Sequence, residues 1–462
     1  MLRHRTARLA RAVLGCLGLV APALVASLLA LFIAPREGRL APGPSLAIDV
    51  PVPDASIQGV LDISGWAIDT GASDGTGVDR VAIFVDGAYI REAQYGQRRP
   101  DLGAAYGPRF TASGFRASLD LDSLVGPGDH VLEARAHAAE ADEWTALPRA
   151  IHLPAGPRFC VNTHLLWFDL QRAATDLDRV RANGLSATRF DVGWDSLEPT
   201  AHGDWNERYL ARLDNVLQLI GERGVRPIVT VLRTPEWARS GGSAMTPPDD
   251  PADFANAVAT LATRYAAVPG MTYEIWNEPN SPVFWDAPGG PNAAVYTAML
   301  RAAYASIKSV APNATVLGGS LAFNEPDYLA AMFDAGAQGT FDGLALHPYS
   351  RGYAPDDVAI PSRSFSLAIA HAQQVLSEHG DDGTPIWITE MGWSTAQVPD
   401  SVRADYYRRA VQIVRADPRV RSFCAFELNQ GDDSTGPETG LIAPNGSPTA
   451  SWDAYRRAVM GE

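Results

Sequence analysis

From residue 159 onward, short apolar runs alternate with longer amphipathic stretches, and that alternation restricts the fold more than any other feature of the chain. The runs fall at 159–164, 187–192, 227–232, 272–277, 315–320, 343–347, 385–390 and 423–428. Between them, stretches such as 169–182, 207–223, 252–267, 293–310 and 403–416 carry apolar residues at helical spacing. A strand buried on both faces reads as a nearly unbroken apolar run, and strands separated by helix-length segments pair in parallel. Eight such units over about 250–300 residues are what a closed (β/α)8 TIM barrel requires. An α/β barrel is therefore predicted over residues 158–460, with its chemistry at the carboxyl ends of the strands.

Two of those strand ends carry a carboxylic acid beside aromatic rings. The fourth run, Tyr273-Glu274-Ile275-Trp276-Asn277-Glu278-Pro279-Asn280, is broken by Pro279 directly after Glu278. The seventh, Pro385-Ile386-Trp387-Ile388-Thr389-Glu390-Met391-Gly392-Trp393, places Glu390 at its last strand position. Two carboxyls facing one another across a barrel mouth are the minimum equipment for cleaving a glycosidic bond. One protonates the leaving oxygen while the other attacks or activates water.

With these motifs the sequence resembles glycoside hydrolase clan A, through Trp276-Asn277-Glu278-Pro279 on the fourth strand and Thr389-Glu390-Met391-Gly392-Trp393 on the seventh. The resemblance spans about residues 159–458. It implies a retaining mechanism with Glu278 as acid/base and Glu390 as nucleophile. It also implies that Arg189, on the second strand, steadies the nucleophile. Asn277 would bond the sugar 2-hydroxyl, and His347 and Tyr349 match a sixth-strand pair. Within the clan, Gly193-Trp194-Asp195-Ser196-Leu197-Glu198-Pro199 and Gly203-Asp204-Trp205 look most like family 39, including its exopolysaccharide-associated members. One departure stands out: the eighth run, Phe423-Cys424-Ala425-Phe426-Glu427-Leu428-Asn429-Gln430, lacks the tryptophan that many clan members place there. Phe426, Glu427 or Asn429 would substitute.

Other polar and aromatic groups follow the strands. His164 is predicted at the mouth, either as a ligand group or as a core histidine with one partner. Trp194, Trp237, Trp285 and Trp393 are candidates for a sugar-stacking groove, with loop packing as the alternative. Glu198 is expected to shape its own turn, and Asp432 and Asp433 are expected to be solvated. No Cys-x-x-Cys or His-Glu-x-x-His pattern occurs, so no metal or cofactor is expected.

Upstream of the barrel the pattern changes. Residues 46–154 hold alternating runs at 59–69, 81–87, 114–120 and 130–136, with Asp86-Gly87 as a hairpin signal. They resemble the immunoglobulin-like accessory domains found beside bacterial surface hydrolases, implying a β-sandwich that acts as spacer or polysaccharide-binding helper. Tyr95, Tyr106 and Trp144 are read as packing residues there, with sugar stacking as the alternative. Residues 35–45 are rich in Pro and Gly and read as a linker. Arg3, Arg5, Arg8 and Arg11 precede residues 12–34, which hold no charge. As a helix those residues reach about 34 Å, long enough to cross a bilayer. Residues 1–34 are therefore predicted to be a signal anchor, with a cleaved signal peptide as the alternative, and the body to lie outside the cytoplasmic membrane or to be secreted. Cys160 and Cys424 fall on neighbouring first and last strands, and an exported setting permits oxidation. Parallel neighbours offer poor disulfide geometry, so buried free thiols are expected, with a disulfide as the alternative.

The net charge of −15 becomes −19 without the arginine-rich first eleven residues, and such a body repels a phosphate backbone. The expected partners are a β-linked polysaccharide or oligosaccharide and, through residues 12–34, a membrane, but no nucleic acid. The chain is expected to be a monomer. A retaining O-glycosyl hydrolase, endo-acting, is the leading expectation; a transglycosylase and a non-catalytic polysaccharide-binding protein are the rivals.

Overall fold

In a computed structural model, residues 43–57, 60–121, 124–125, 127–153, 156–432 and 438–462 are described. The expected anchor at 12–34 and Asp433 lie outside the described residues. Among the described residues, no helix is long and apolar enough to cross a membrane.

The period-two runs of the first part fold into two sheets. One contains β1 (Ser45–Val50), β3 (Val60–Ile68), β7 (Gly114–Asp120) and β6 (Gln94–Gln97), in the order β1-β3-β7-β6. The other contains β2 (Ala55–Ser56), β9 (Glu143–Leu153), β8 (Gly128–Ala138), β4 (Val78–Val85) and β5 (Ala88–Glu92), in the order β2-β9-β8-β4-β5. Alternate residues of both sheets, among them Ile63, Phe115, Ile83 and Leu132, share one buried core, which makes the pair a sandwich. Asp86 and Gly87 form the two-residue turn between β4 and β5, with φ of 50° and 81°. Those angles match a type I′ turn, which suits the twist of a hairpin. Tyr95 packs inward and donates to the Ala67 carbonyl at 2.7 Å, whereas Tyr106 and Trp144 are exposed.

The eight later runs close into a barrel of parallel strands: β10 (Arg158–Asn162), β11 (Ala187–Gly193), β12 (Arg226–Leu232), β13 (Thr272–Ile275), β14 (Thr315–Ala322), β15 (Gly343–His347), β16 (Ile386–Met391) and β17 (Val420–Ala425). Each strand pairs with the next, and β17 returns to β10. The helices between them form for local reasons. Asp169 and Asn206 accept from the backbone N–H three residues on and so cap Leu170–Ala182 and Glu207–Glu222. Leu210, Leu213, Val216, Leu217 and Ile220 then recur at helical spacing as the buried stripe of the second.

Inside the barrel the side chains stack in layers. Cys160, Ala187, Ile228, Leu317, Ala345, Trp387 and Cys424 form one apolar layer. Two residues further along six of these strands come Asn162, Arg189, Thr230, His347, Thr389 and Phe426, and on β13 the matching position is Glu274. Strand pleating turns every second residue inward, so a layer that is polar except for Phe426, just past β17, sits directly over the apolar one and beneath the mouth.

Two expectations are overturned here. Cys160 and Cys424 are directly opposite in register, with Cα atoms 4.2 Å apart, and they form a disulfide. Both side chains point into the barrel interior from adjacent strands, which brings the sulfurs together. Asp432 is not a solvated loop acid: it pairs with Arg172 at 2.9 Å and accepts from Asn429.

Candidate active site

β13 ends at Ile275, two residues earlier than the apolar run implies, because Trp276 and Glu278 adopt left-handed φ of 68° and 42°. The first turn swings Trp276 outward, where it is fully buried against Phe254 and Trp285 and donates to the Phe284 carbonyl at 2.7 Å. The second aims Glu278 at the mouth. On β16 a register irregularity between Ile388 and Met391 lets consecutive residues Thr389 and Glu390 both face the interior. Left-handed non-glycine residues concentrate at these strand ends, where Arg233, Ser320, Phe323 and Arg351 also adopt positive φ. Such conformations persist only where the surroundings impose them.

One carboxylate oxygen from each of Glu278 and Glu390, with a ring nitrogen of His347, lie within 4.8 Å of one another. Glu390 is held at both oxygens: Arg189 Nη1 donates to Oε1 at 2.6 Å, and the Tyr349 hydroxyl donates to Oε2 at 2.7 Å. Arg189 is buried and makes three further contacts: Nε to Glu274 at 2.5 Å, Nη1 to Asn162 Oδ1 at 2.9 Å, and Nη2 to Asn277 Oδ1 at 2.8 Å. His347 faces Glu278 through Nδ1 at 3.1 Å and Thr389 Oγ1 through Nε2 at 3.0 Å, with Glu274 3.9 Å away.

The charges are mutually supporting. Burial alone would raise the pKa of Glu274, but the adjacent Arg189 charge and His347 hold it well below the usual carboxylate range. Burial alone would lower that of His347. The Glu390 charge and hydrogen bonds to Glu274 and Glu278 overcome this and raise it to about 9, so both ring nitrogens carry protons at neutral pH. Burial and the Glu390 charge push the Tyr349 hydroxyl well above its ordinary value and keep it a donor. Glu278, His347 and Glu390 are spaced as a cation site would be. A protonated His347 and the Arg189 charge on Glu390 both oppose cation binding there.

These groups open into a cavity of about 780 Å³, whose lining includes Asn162, His164, Trp167, Arg189, Asn277, Glu278, Tyr349, Glu390 and Phe426. His164 donates or accepts at 2.8 Å with buried Glu427 and stacks 4.2 Å from Trp167, which is half exposed. Burial would lower the His164 pKa, but Glu427, Asp191 and Asp432 raise it. Phe426 occupies the wall where an eighth-strand tryptophan was missing, and Glu427 and Asn429 serve other partners.

Of the two readings of the tryptophans, the structure shows loop packing. Trp194 is fully buried, donates to Glu198 at 2.8 Å and meets Trp237 and Phe254 edge-on. Trp393 is fully buried and donates to Ser350 and the Tyr353 carbonyl, both at 2.9 Å. Trp237 donates to the Glu198 carbonyl at 2.7 Å, Trp285 is buried edge-on against Trp276 and Tyr296, and none of the four lines the cavity. Glu198, as expected, shapes its turn, since it also accepts from the Gly203 backbone N–H. The exposed ring in the cavity is Trp167, which the sequence marks only by Trp167-Phe168 lying just before the Asp169 helix cap. Glu274 and Asn162 were also unrecognised. Their signal was polarity inside otherwise apolar strands.

Residues 155–429, more than half of the chain, match the model of the cellulase family, glycosyl hydrolase family 5. The chain belongs to this family. As a family 5 barrel it sits in clan A, and its fold recurs among solved structures. A family 39 glycoside hydrolase from the gut symbiont Bacteroides cellulosilyticus WH2 is 17% identical, with a TM-score of 0.55, over 90% of this chain and 82% of that one. The exo-β-1,4-mannosidase Op5Man5 from Opitutaceae bacterium strain TAV5 is 18% identical, with a TM-score of 0.52, over 66% of this chain and 59% of that one. A GH5_18 protein from Bifidobacterium longum subsp. infantis is 16% identical, with a TM-score of 0.56, over 66% and 79%.

Proposed function

We propose that this protein is a retaining glycosidase that cleaves a β-linked polysaccharide or oligosaccharide by double displacement. The observation that carries the proposal is the separation of Glu278 and Glu390, one carboxylate oxygen of each lying within 4.8 Å of the other. Retaining enzymes hold their two carboxyls about 5–5.5 Å apart, whereas inverting enzymes need about 6.5–9.5 Å to admit a water.

In the first step Glu278 gives its proton to the glycosidic oxygen while a Glu390 oxygen bonds to the anomeric carbon and the leaving alcohol departs. In the second, Glu278 takes a proton from water, whose oxygen attacks the anomeric carbon and releases Glu390 as carboxylate. Arg189 and Tyr349 hold the attacking carboxylate in one orientation, and His347 orients Glu278. Arg189 occupies Oδ1 of Asn277, which leaves Nδ2 to donate to a sugar hydroxyl. Trp167 offers a ring face for a neighbouring sugar.

The setting proposed is extracytoplasmic, either anchored through residues 12–34 or secreted. The Cys160–Cys424 disulfide supports it, because such bonds persist in oxidising compartments. Residues 46–154 would hold the barrel away from the anchor as an immunoglobulin-like spacer.

The test is turnover of β-linked oligosaccharides by the wild type, Glu278→Gln and Glu390→Gln. Each variant is expected to lose on the order of 10²–10⁴-fold in kcat. The first product seen by NMR is expected to carry the substrate's anomeric configuration. Unchanged rates in both variants, or an inverted product, would refute the mechanism. Longer products would instead identify the same chemistry as transglycosylation.

A further inference from the structure

The cavity is lined by four basic side chains, and three are already committed. Arg189 holds Glu274 and Glu390, Arg233 pairs with Asp195 at 2.8 Å, and His164 pairs with Glu427. The fourth is Arg351. Among the described residues it has no carboxylate within ion-pair distance, and its guanidinium lies over the face of Phe323, 5.4 Å from the ring centre. A guanidinium has five donors in a rigid fork, and a ring face satisfies none of them.

The local structure presents this group deliberately. Arg351 occupies the second position of the turn Ser350–Tyr353, which is closed by Tyr353 N–H donating to the Ser350 carbonyl at 3.0 Å and by the Ser350 hydroxyl donating back to the Tyr353 carbonyl at 2.9 Å. Buried Trp393 then pins both ends of that turn through its Nε1. Arg351 and Phe323 both adopt left-handed φ, 56° and 64°, and the Phe323 N–H donates to the His347 carbonyl at 2.8 Å. Non-glycine residues adopt this conformation at a cost that the surroundings must outweigh. An exposed cation on a turn fixed at both ends, lining the same cavity as Glu278 and Tyr349 and without a carboxylate partner among the described residues, fits an anionic group on the ligand.

We propose that the cavity accepts an acidic saccharide, one whose pyranose carboxylate is taken bidentately by Arg351 on the side of the mouth formed by β14 and β15. The net charge of −15 repels densely charged polyanions at long range, so this cation acts as a short-range selector for a uronic acid residue rather than as part of a polyanion track. The inference rests on the reading of the cavity as a sugar site.

The experiment is calorimetry of the full chain with two matched pairs: cellotetraose against its C6-carboxylated counterpart, and β-1,4-mannotetraose against the corresponding mannuronate tetramer. The wild type is expected to bind the acidic member of at least one pair about 10-fold more tightly or better, an ordinary increment for one charge-assisted pair. Arg351→Gln is expected to bring that ratio to about one, and Arg351→Lys to retain part of it, because an ammonium keeps the charge without the fork. A wild type with no acidic preference in either pair, or a preference that survives Arg351→Gln, overturns the proposal. Turnover is measured in parallel. Selective binding without turnover would sink the glycosidase reading and leave the selector standing, and turnover without selectivity would do the reverse.

Discussion

Arg189 ties together Glu274 and Glu390, and its removal therefore leaves both without their shared partner. Glu274 and Glu390 are both buried, and without the guanidinium each would be a charge lacking its partner. Breaking a buried pair from one side costs about 3–5 kcal/mol, more than the intact pair contributes to stability. Arg189→Met is expected to lower the unfolding free energy by about that amount in denaturant titration, while Arg189→Met combined with Glu274→Gln recovers part of the loss. A double-variant loss equal to the sum of the Arg189→Met and Glu274→Gln losses would show that the two groups do not interact. His347 makes a separate prediction. Its pKa rises from 6.5 to about 9 on folding, so the folded state binds its proton more tightly than the unfolded state. That contribution is complete below about pH 6.5 and is lost as pH rises through about 9, with an upper limit of about 3 kcal/mol. Wild type is expected to lose stability relative to His347→Gln over that window. Glu274 acts with the opposite sign: its depressed pKa contributes stability that disappears only as pH falls below the ordinary carboxylate range.

Strand ends, more than strands, determine what this barrel does. Gly392 follows β16 where its chain runs against the end of β17, and a Cβ there would lie 2.2 Å from the Phe426 carbonyl oxygen. That oxygen belongs to backbone and cannot swing aside, so Gly392→Ala must displace the segment whose Phe426 ring walls the cavity. The expected result is a loss of about 1–3 kcal/mol in stability together with a raised KM for oligosaccharides. Unchanged values in both would mean the two strand ends adjust freely. The same ends divide what could be read in the sequence from what could not. All eight strands were legible because burial on both faces leaves an apolar run that nothing in the helices imitates. Arg189 and His347 were legible by motif. Glu274 was equally available in principle, since inward positions alternate along a pleated strand, but an acid inside the strand was overshadowed by the one at its tip. Trp194 could not be decided between groove and packing from the sequence, because β11 ends at Gly193 and a short helix beginning at Trp194 turns the ring away from the cavity. At Trp276 the alternation would aim the ring inward, and the left-handed turn at its own backbone removes it. Backbone reversals at single non-glycine residues leave no mark in composition or periodicity. For that reason the geometry of the mouth was harder to foresee than the barrel beneath it.

The fold closes twice between the same two strands. Hydrogen bonds join β10 to β17, and the Cys160–Cys424 disulfide joins them covalently across a sequence separation of 264 residues. Closure of the barrel is the longest-range pairing in the domain, and it brings together the strand that leads into His164 and the one that leads into Phe426 and Glu427. His164 and Glu427 meet at 2.8 Å only if that seam is shut. Constraining so long a loop in the unfolded chain stabilises the folded state by about 2–5 kcal/mol. The paired variant Cys160→Ala and Cys424→Ala, which fits an already apolar layer, is expected to unfold at lower denaturant by about that amount. Reducing agent is expected to shift the wild type toward the variant's midpoint and to leave the variant itself unmoved. If the disulfide only reinforces the seam, the variant keeps its activity at low temperature and loses it on warming earlier than the wild type. If the seam depends on the disulfide, activity falls at all temperatures. The eight-strand hydrogen-bonded ring and its buried core favour the first outcome, because hydrogen bonds from β10 reach both β11 and β17 without help from the sulfurs.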